Sequence, residues 1–238
     1  MSEKMLITDK ELLKEFAQSK RVWQGIPSFE RTEKGRCFSA FYSGETSEVY
    51  GNYCVLASSD DGENWLDPML VAYAGKDKRC YDPSLWIDTK NRLWFIWSVM
   101  PDLSVYAAIC DDPDADELVF GEERRIGEGV MMNKPTVLSS GEWLFPMAVW
   151  DKDVMPPFVK TNPRCKRLAY AVRTANEGKT FTRCGGVAVK DRSYDEHMIL
   201  ELTDGRLAMF VRTFYGIAVS YSYDGGYNWT EGRDTGIL

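Results

Sequence analysis

Apolar residues along this chain fall in short runs, many of them alternating, and the runs are separated by clusters of Gly, Asp, Asn, Ser and Pro. Leu93–Val99, Leu207–Thr213 and Ile217–Ser222 carry β-branched and aromatic side chains at strand spacing and predict strands. Asp9–Ser19 breaks the pattern. Leu12, Leu13 and Phe16 fall on one helical face behind Thr8 or Asp9 as N-cap, which predicts one short amphipathic helix.

Two stretches repeat. Ser58–Trp65 and Ser222–Trp229 both read S-x-D-x-G-x-x-W and follow strand-type runs, which makes Asp60 and Asp224 equivalent positions. The residue types suit a tight hairpin: Asp accepts from backbone N–H groups, Gly takes a positive φ and Trp covers the turn. Thr174–Phe181 is a degenerate third copy, and the stretch from Cys110 to Phe120 is a weaker fourth. Upstream of each turn lies a second anchor, at Ile26–Glu30, Asp82–Trp86, Lys134–Leu138 and Glu196–Leu200. Anchors and turns recur together at roughly fifty to sixty residues, the pattern of four-stranded propeller blades. The inner strands are placed after the prolines, at Ser28–Arg31, Ser84–Ile87, Thr136–Ser139 and Met198–Leu202. The outermost fall at Met69–Ala72, Arg124–Ile126, Gly186–Val189 and Asp234–Leu238. Residues 1–22 are then an N-terminal helical extension and 23–238 hold blades one to four. Blade four ends at Leu238, so the propeller is expected to be incomplete and not to close a ring by itself.

Composition narrows the function classes. Of 238 residues 44% are hydrophobic and eight are Trp, enough for a well-packed all-β domain. A net charge of −7 argues against a nucleic-acid partner. There is no apolar run long enough to span a membrane and no apolar segment after Met1, so a cytoplasmic protein is expected. The six cysteines (37, 54, 80, 110, 165 and 184) form no C-x-x-C pair and read as reduced, buried thiols. With a single histidine and no clustered thiols, no metal and no cofactor are expected. Oligomeric state is left open.

The doubled Asp turn, Gly25-Ile26-Pro27 and the stretch from Asp195-Glu196-His197-Met198 through Arg212 resemble the sialidase (neuraminidase) superfamily of BNR/Asp-box repeat proteins. The resemblance runs through nearly the whole chain. It implies an all-β, six-bladed β-propeller, of which about four blades are present. It also implies three arginines that hold a sugar carboxylate, an Asp acid/base, and a Tyr paired with a Glu as nucleophile. Glu196 matches the family's Glu and Arg212 its second Arg. Gly25 stands where the first Arg is expected, and neutral Gln24 beside it is no substitute for a guanidinium fork. The third Arg and the Tyr belong to later blades. The loop Ser43–Asn52, where the acid/base Asp is expected, holds Glu45 and Glu48 instead.

The internal alignment nominates a site independently. Inner strands of a propeller begin near its axis, so polar residues there converge. These residues are Gln24, Tyr81-Asp82, Asn133-Lys134 and Asp195-Glu196-His197. His197 replaces a proline of the other blades and is the natural proton carrier near neutral pH. Glu196, His197 and Asp82 are therefore expected to be catalytic. Arg212, Lys134, Asn133, Gln24 and Tyr81 are expected to contact substrate. Trp23, Trp86 and Trp150 either stack on a sugar or pack between blades. Three readings follow. One is a carbohydrate-active protein, a glycoside hydrolase for an acidic or exo-terminal sugar, with Asp82 and Glu196 as its carboxyl pair. A second is a uronic-acid polysaccharide lyase or rhamnosidase-like enzyme using His197. The third is a non-catalytic glycan- or protein-binding propeller.

Overall fold

Alternating apolar runs must pair as strands to satisfy their backbone groups, and every long run of this chain does so. The computed structural model describes residues 4–157, 159 and 163–238. The chain divides into two compact units, Met1–Arg125 and Ile126–Leu238.

In the first unit, β1 (Leu6–Ile7), β2 (Trp23–Arg31), β3 (Cys37–Gly44), β4 (Tyr53–Ser59) and β5 (Leu66–Ala72) form one antiparallel sheet in the order β1-β5-β4-β3-β2. The N-terminal strand thus pairs with the outer edge of the sheet, Leu6 opposite Ala72. The expected helix is a single α-helical turn, α1 (Lys10–Leu13), followed by 3-10 turns at Lys14–Phe16 and Gln18–Lys20. Asp9 caps it by accepting from the N–H groups of Glu11 and Leu12. Leu13 and Phe16 pack on Tyr53, Val55 and Val71 of the sheet. The second sheet runs β6 (Arg79–Ile87), β7 (Leu93–Met100), β8 (Ser104–Cys110) and β9 (Arg124–Glu128) in sequence order. Every residue of β7 is buried, including Trp94 and Trp97.

The inner strands begin earlier than expected. β2 starts at Trp23 and β6 at Arg79, upstream of the prolines taken as strand starts. A bulge carries each strand through: the register shifts between Gly25 and Ser28, and between Tyr81 and Ser84. In both bulges the residue before proline is left-handed, Ile26 at φ 50° and Asp82 at φ 47°. A proline inside a bulge has no ladder hydrogen bond to lose, which is why it did not end the strand.

In the second unit, β10 (Thr136–Val137), β11 (Trp143–Ala148), β12 (Ala169–Thr174) and β13 (Thr182–Val187) form one sheet. β14 (Met198–Glu201), β15 (Leu207–Thr213), β16 (Gly216–Ser222) and β17 (Arg233–Asp234) form the other. Leu144, Ala169 and Ala171 of the former and Ile199, Met209 and Val211 of the latter share one apolar core. β17 is shorter and earlier than the expected Asp234–Leu238.

The repeated turn is real, but its register is not the one the sequence frame implied. In the second-unit copy Ser222 and Asp224 close the turn. Asp224 accepts from the N–H of Tyr227 and Asn228 and from the Asn228 amide, and Trp229 Nε1 donates to the Gly226 carbonyl. In the first-unit copy Asp61, not Asp60, makes these bonds, to Glu63, Asn64 and Ser59, with Trp65 donating to Gly62. This copy is one residue shorter: it has a single left-handed glycine, Gly62, where the other has Gly225 and Gly226. Asp60 turns away to Arg36, 2.5 Å from its Nε. Thr174, Asn176, Gly178 and Thr180 reproduce the longer form, with Glu177 supplying the first left-handed residue. All six cysteines are free; Cys37, Cys54, Cys80, Cys110 and Cys184 are buried on five separate strands, whereas Cys165 precedes β12 and is only partly buried, because no sheet covers it. Among the described residues no helix is long and apolar enough to cross a membrane.

Candidate functional site

In the second unit the chain leaves the extended region just before β14. Asp191, Tyr194 and Asp195 have φ values of 50°, 60° and 42°. Left-handed non-glycine residues so close together store strain and persist only where the surroundings over-determine them, a feature that clusters at functional sites. The distortion buries the Asp195 side chain and leaves Glu196 at the surface. Arg192, also buried, reaches Asp195 Oδ2 with Nη1 at 3.1 Å and Asp151 Oδ2 with Nε at 3.7 Å. Neither Asp195 carboxyl oxygen makes a well-directed hydrogen bond. Burial therefore lifts the Asp195 carboxyl to about 7; Asp151 adds to the rise and Arg192 opposes it.

Glu196 has the opposite environment. Arg212 of β15 donates from Nη1 to its Oε2 at 2.5 Å, and both groups are partly open to solvent. The Arg212 guanidinium lies over the Tyr194 ring at 5.5 Å, and that ring meets Trp150 edge-on at 5.2 Å. Asn133 does not point at a ligand. Its amide donates to the carbonyls of Glu196 (3.2 Å) and His197 (2.9 Å), fixing the backbone between the two. Met132, Trp150, Tyr194, Asp195, Glu196 and His197 line a cavity of about 10 Å³, room for one water. Lys134 is exposed.

His197 faces inward and is only 2% exposed. Nδ1 lies 2.8 Å from the Asp195 carbonyl and Nε2 lies 3.0 Å from the Tyr170 carbonyl. A neutral ring donates to one of these and a protonated ring to both. Burial lowers the imidazole pKa, and the two carbonyls pull the other way. Both nitrogens are engaged by backbone, so the ring ties the start of β14 to β12.

In the first unit Gln24 is exposed on β2, Tyr81 is fully buried and Asp82 is 5% exposed. Burial, with the Asp82 charge adding to it, pushes the Tyr42 and Tyr81 phenols up. Beside them Arg79, 3% exposed, donates from Nη2 to the Tyr42 hydroxyl at 3.0 Å and meets Glu48 Oε2 at 2.9 Å. Tyr42 in turn donates to Glu48 Oε1. The guanidinium lies over the rings of Tyr42 (5.2 Å) and Tyr81 (4.7 Å). At Gly25, where the resemblance placed an arginine, the Trp23 indole folds across the backbone, and a Cβ there would sit 2.8 Å from its ring carbons.

Tyr81 and Asp82 therefore meet in the first unit, and Asn133, Glu196, His197 and Arg212 meet in the second. Sequence reasoning missed Arg79, Tyr42, Arg192 and Asp151. A signal was available: Arg79-Cys80-Tyr81-Asp82 and Arg192-Ser193-Tyr194-Asp195 both read R-x-Y-D. In both copies the Arg and the Asp are buried and the Asp is left-handed.

No family model matches the sequence, and no curated protein matches it. Solved structures do. A Dyadobacter fermentans protein of unknown function superposes with a TM-score of 0.65 at 18% identity, over 90% of this chain and 70% of that one. A mutant of the NanB sialidase from Streptococcus pneumoniae gives 0.63 at 12% identity, over 92% of this chain and 53% of that one. The intramolecular trans-sialidase from Ruminococcus gnavus gives 0.65 at 13%, over 92% and 72%. The chain thus spans about half the length of the NanB chain. At these identities the likeness is one of fold. The protein is an all-β, sialidase-type propeller fold carrying about four blades and a short N-terminal helix.

Proposed function

We propose that the protein is a glycoside hydrolase of the sialidase-like superfamily, with its chemistry at Asp195 and Glu196. One observation carries the reading: two adjacent carboxyl groups sit in opposite surroundings, Asp195 buried and Glu196 partly open to solvent on a guanidinium. Burial lifts the Asp195 carboxyl to about 7, while Glu196 at the cavity rim accepts from Arg212 Nη1. Glycoside hydrolysis uses a pair of carboxyl groups, one that gives a proton and one that takes it. In this reading the Asp195 proton reaches the glycosidic oxygen through the one water the cavity admits, as the C–O bond breaks. Glu196 takes a proton from the attacking water, whose oxygen bonds to the sugar carbon. Trp150 and Tyr194 supply an apolar wall. His197 and Asn133 are positioning residues that hold the strained backbone between the two acids. The sialidase-type fold and the doubled Asp-box-like turn support the superfamily.

The lyase reading needs His197 to exchange protons with a ligand, and both ring nitrogens are already engaged by backbone carbonyls. The test is a panel of aryl glycosides with mass detection of products, using the purified chain and its Asp195→Asn and Glu196→Gln variants. Turnover with addition of water, reduced at least ~100-fold in each variant, is the expected result. Turnover unchanged in both variants, or products lacking the added water, would remove the proposal.

A further inference from the structure

The Arg79 cluster is not used by the proposed chemistry, yet it is built with unusual care. Glu48 is 53% exposed and stands on the loop between β3 and β4. Asn52 shapes that loop from within, accepting from the Val49 N–H and donating to the Ser47 carbonyl. Gly44 leaves room for the Asn52 amide, which a Cβ would meet at 2.0 Å. The Gly51 N–H donates to the Lys78 carbonyl, and the Cys80 N–H donates to the Asn52 carbonyl, which staples the loop to the start of β6. The loop thus presents the Glu48 carboxylate with each oxygen held by a donor from below and its outer lone pairs open to solvent. Such support is how a first-contact group is preorganised. The half-buried Trp23 indole lies 4.9 Å from the ring of Tyr42, whose hydroxyl donates to Glu48.

We propose that Glu48 and Trp23 form a subsite for an uncharged, hydroxyl-rich sugar ring: the carboxylate accepts from neighbouring hydroxyls and the indole covers the ring's C–H face. The inference rests on the reading of the protein as acting on sugars. Charge decides the class. The charged group exposed at this place is the Glu48 carboxylate. Arg79 is closed off by two aromatic rings and already bonded to Glu48 and Tyr42, so it is not available to a substrate carboxylate. Lys78, next in the chain, is held by Asp102 at 2.6 Å. An aromatic face beside a fixed acceptor suits a neutral ring, and the local negative charge repels an acidic one.

The test is ligand-observed saturation-transfer NMR on the whole chain. The neutral probes are methyl glucoside, methyl galactoside and methyl rhamnoside, and the acidic probes are methyl glucuronide and a methyl sialoside. The proposal expects a neutral probe to bind more tightly than either acidic one. It expects Glu48→Gln, which keeps one acceptor but loses the charge, to weaken that probe by ~10-fold. Removing a partner of buried Arg79 can unfold the chain, so Trp23→Leu is the second variant. It leaves the Arg79–Glu48 pair intact and should also weaken binding by several-fold. Tighter binding of an acidic probe would overturn the proposal. Neutral binding unchanged in both variants would overturn it too, while leaving the sugar reading in place. Failure of all five probes to bind would instead count against the sugar reading itself.

Discussion

Arg192 and Asp195 form an ion pair, Nη1 to Oδ2 at 3.1 Å, with both side chains shut off from solvent. The pair does not keep the carboxyl ionised, because desolvation outweighs the guanidinium. Ion pairs in dry surroundings behave this way when their hydrogen bonds are poorly directed.

The Asp195 carboxyl makes stability depend on pH with a definite sign. Unfolded Asp titrates near about 4 and the folded group near about 7. Between these values the folded state holds the proton and the unfolded state has lost it, so stability falls as pH rises, by a few kcal/mol at most. Asp195→Asn, which keeps the shape of the protonated acid, should flatten this fall. Denaturant titrations from pH 4 to pH 7 check it; equal slopes in both proteins would show that Asp195 titrates normally.

His197 should contribute the opposite slope. Its lowered pKa means that the unfolded chain takes up protons first as pH drops below about 6.5, so its burial favours folding as pH rises toward that value. His197→Ala also deletes contacts to the Asp195 and Tyr170 carbonyls. We expect a loss of about 2–3 kcal/mol at neutral pH and a steeper fall in stability between pH 5 and pH 6.5. A thermal midpoint equal to that of the unmodified protein would mean that the ring does not face inward.

The repeated turns give a paired comparison. Asp61 accepts four hydrogen bonds inside its turn, whereas Asp60 meets only the Arg36 side chain. Asp61→Ala and Asp224→Ala should each lower the thermal midpoint clearly, and Asp60→Ala should barely move it. The turn bonds hold the folded-state pKa of both turn carboxyls below the ordinary range, so the stability they contribute is present above about pH 4 and lost in acid. Differential scanning at pH 7 and pH 3 reads both effects. A larger loss from Asp60 would restore the other register.

Gly185 marks a backbone contact between the two sheets of the second unit. Its N–H donates to the Gly226 carbonyl at 3.0 Å, and a Cβ would lie 2.0 Å from the Tyr227 carbonyl oxygen. Backbone cannot swing aside as a side chain can, so Gly185→Ala should cost about 2 kcal/mol or more. Gly141→Ala, where a Cβ meets nothing within 4 Å but φ is 85°, should cost only about 1 kcal/mol. Equilibrium unfolding of the two variants compares them directly.

The sequence alone determined the repeating element order. Strand periodicity, turn residues and the doubled Ser-x-Asp pattern are local, so four antiparallel sheets and a short helix behind Thr8 or Asp9 could be read from them directly. Glu196 and Arg212, each matched separately by the resemblance, are close in space because register sets it: β14 and β15 face each other with Met198 opposite Phe210. What only the tertiary structure decided is depth and direction. His197 and Asp195 look like exposed polar residues in one dimension, and the left-handed turn at Tyr194–Asp195 buries them. Bulges carried β2 and β6 past prolines that read as strand starts. Arg79 meets Tyr42 and Glu48 across a long sequence separation, through loop contacts that have no sequence periodicity. Burial sets which carboxyl keeps its proton, and burial is a property of the assembled chain.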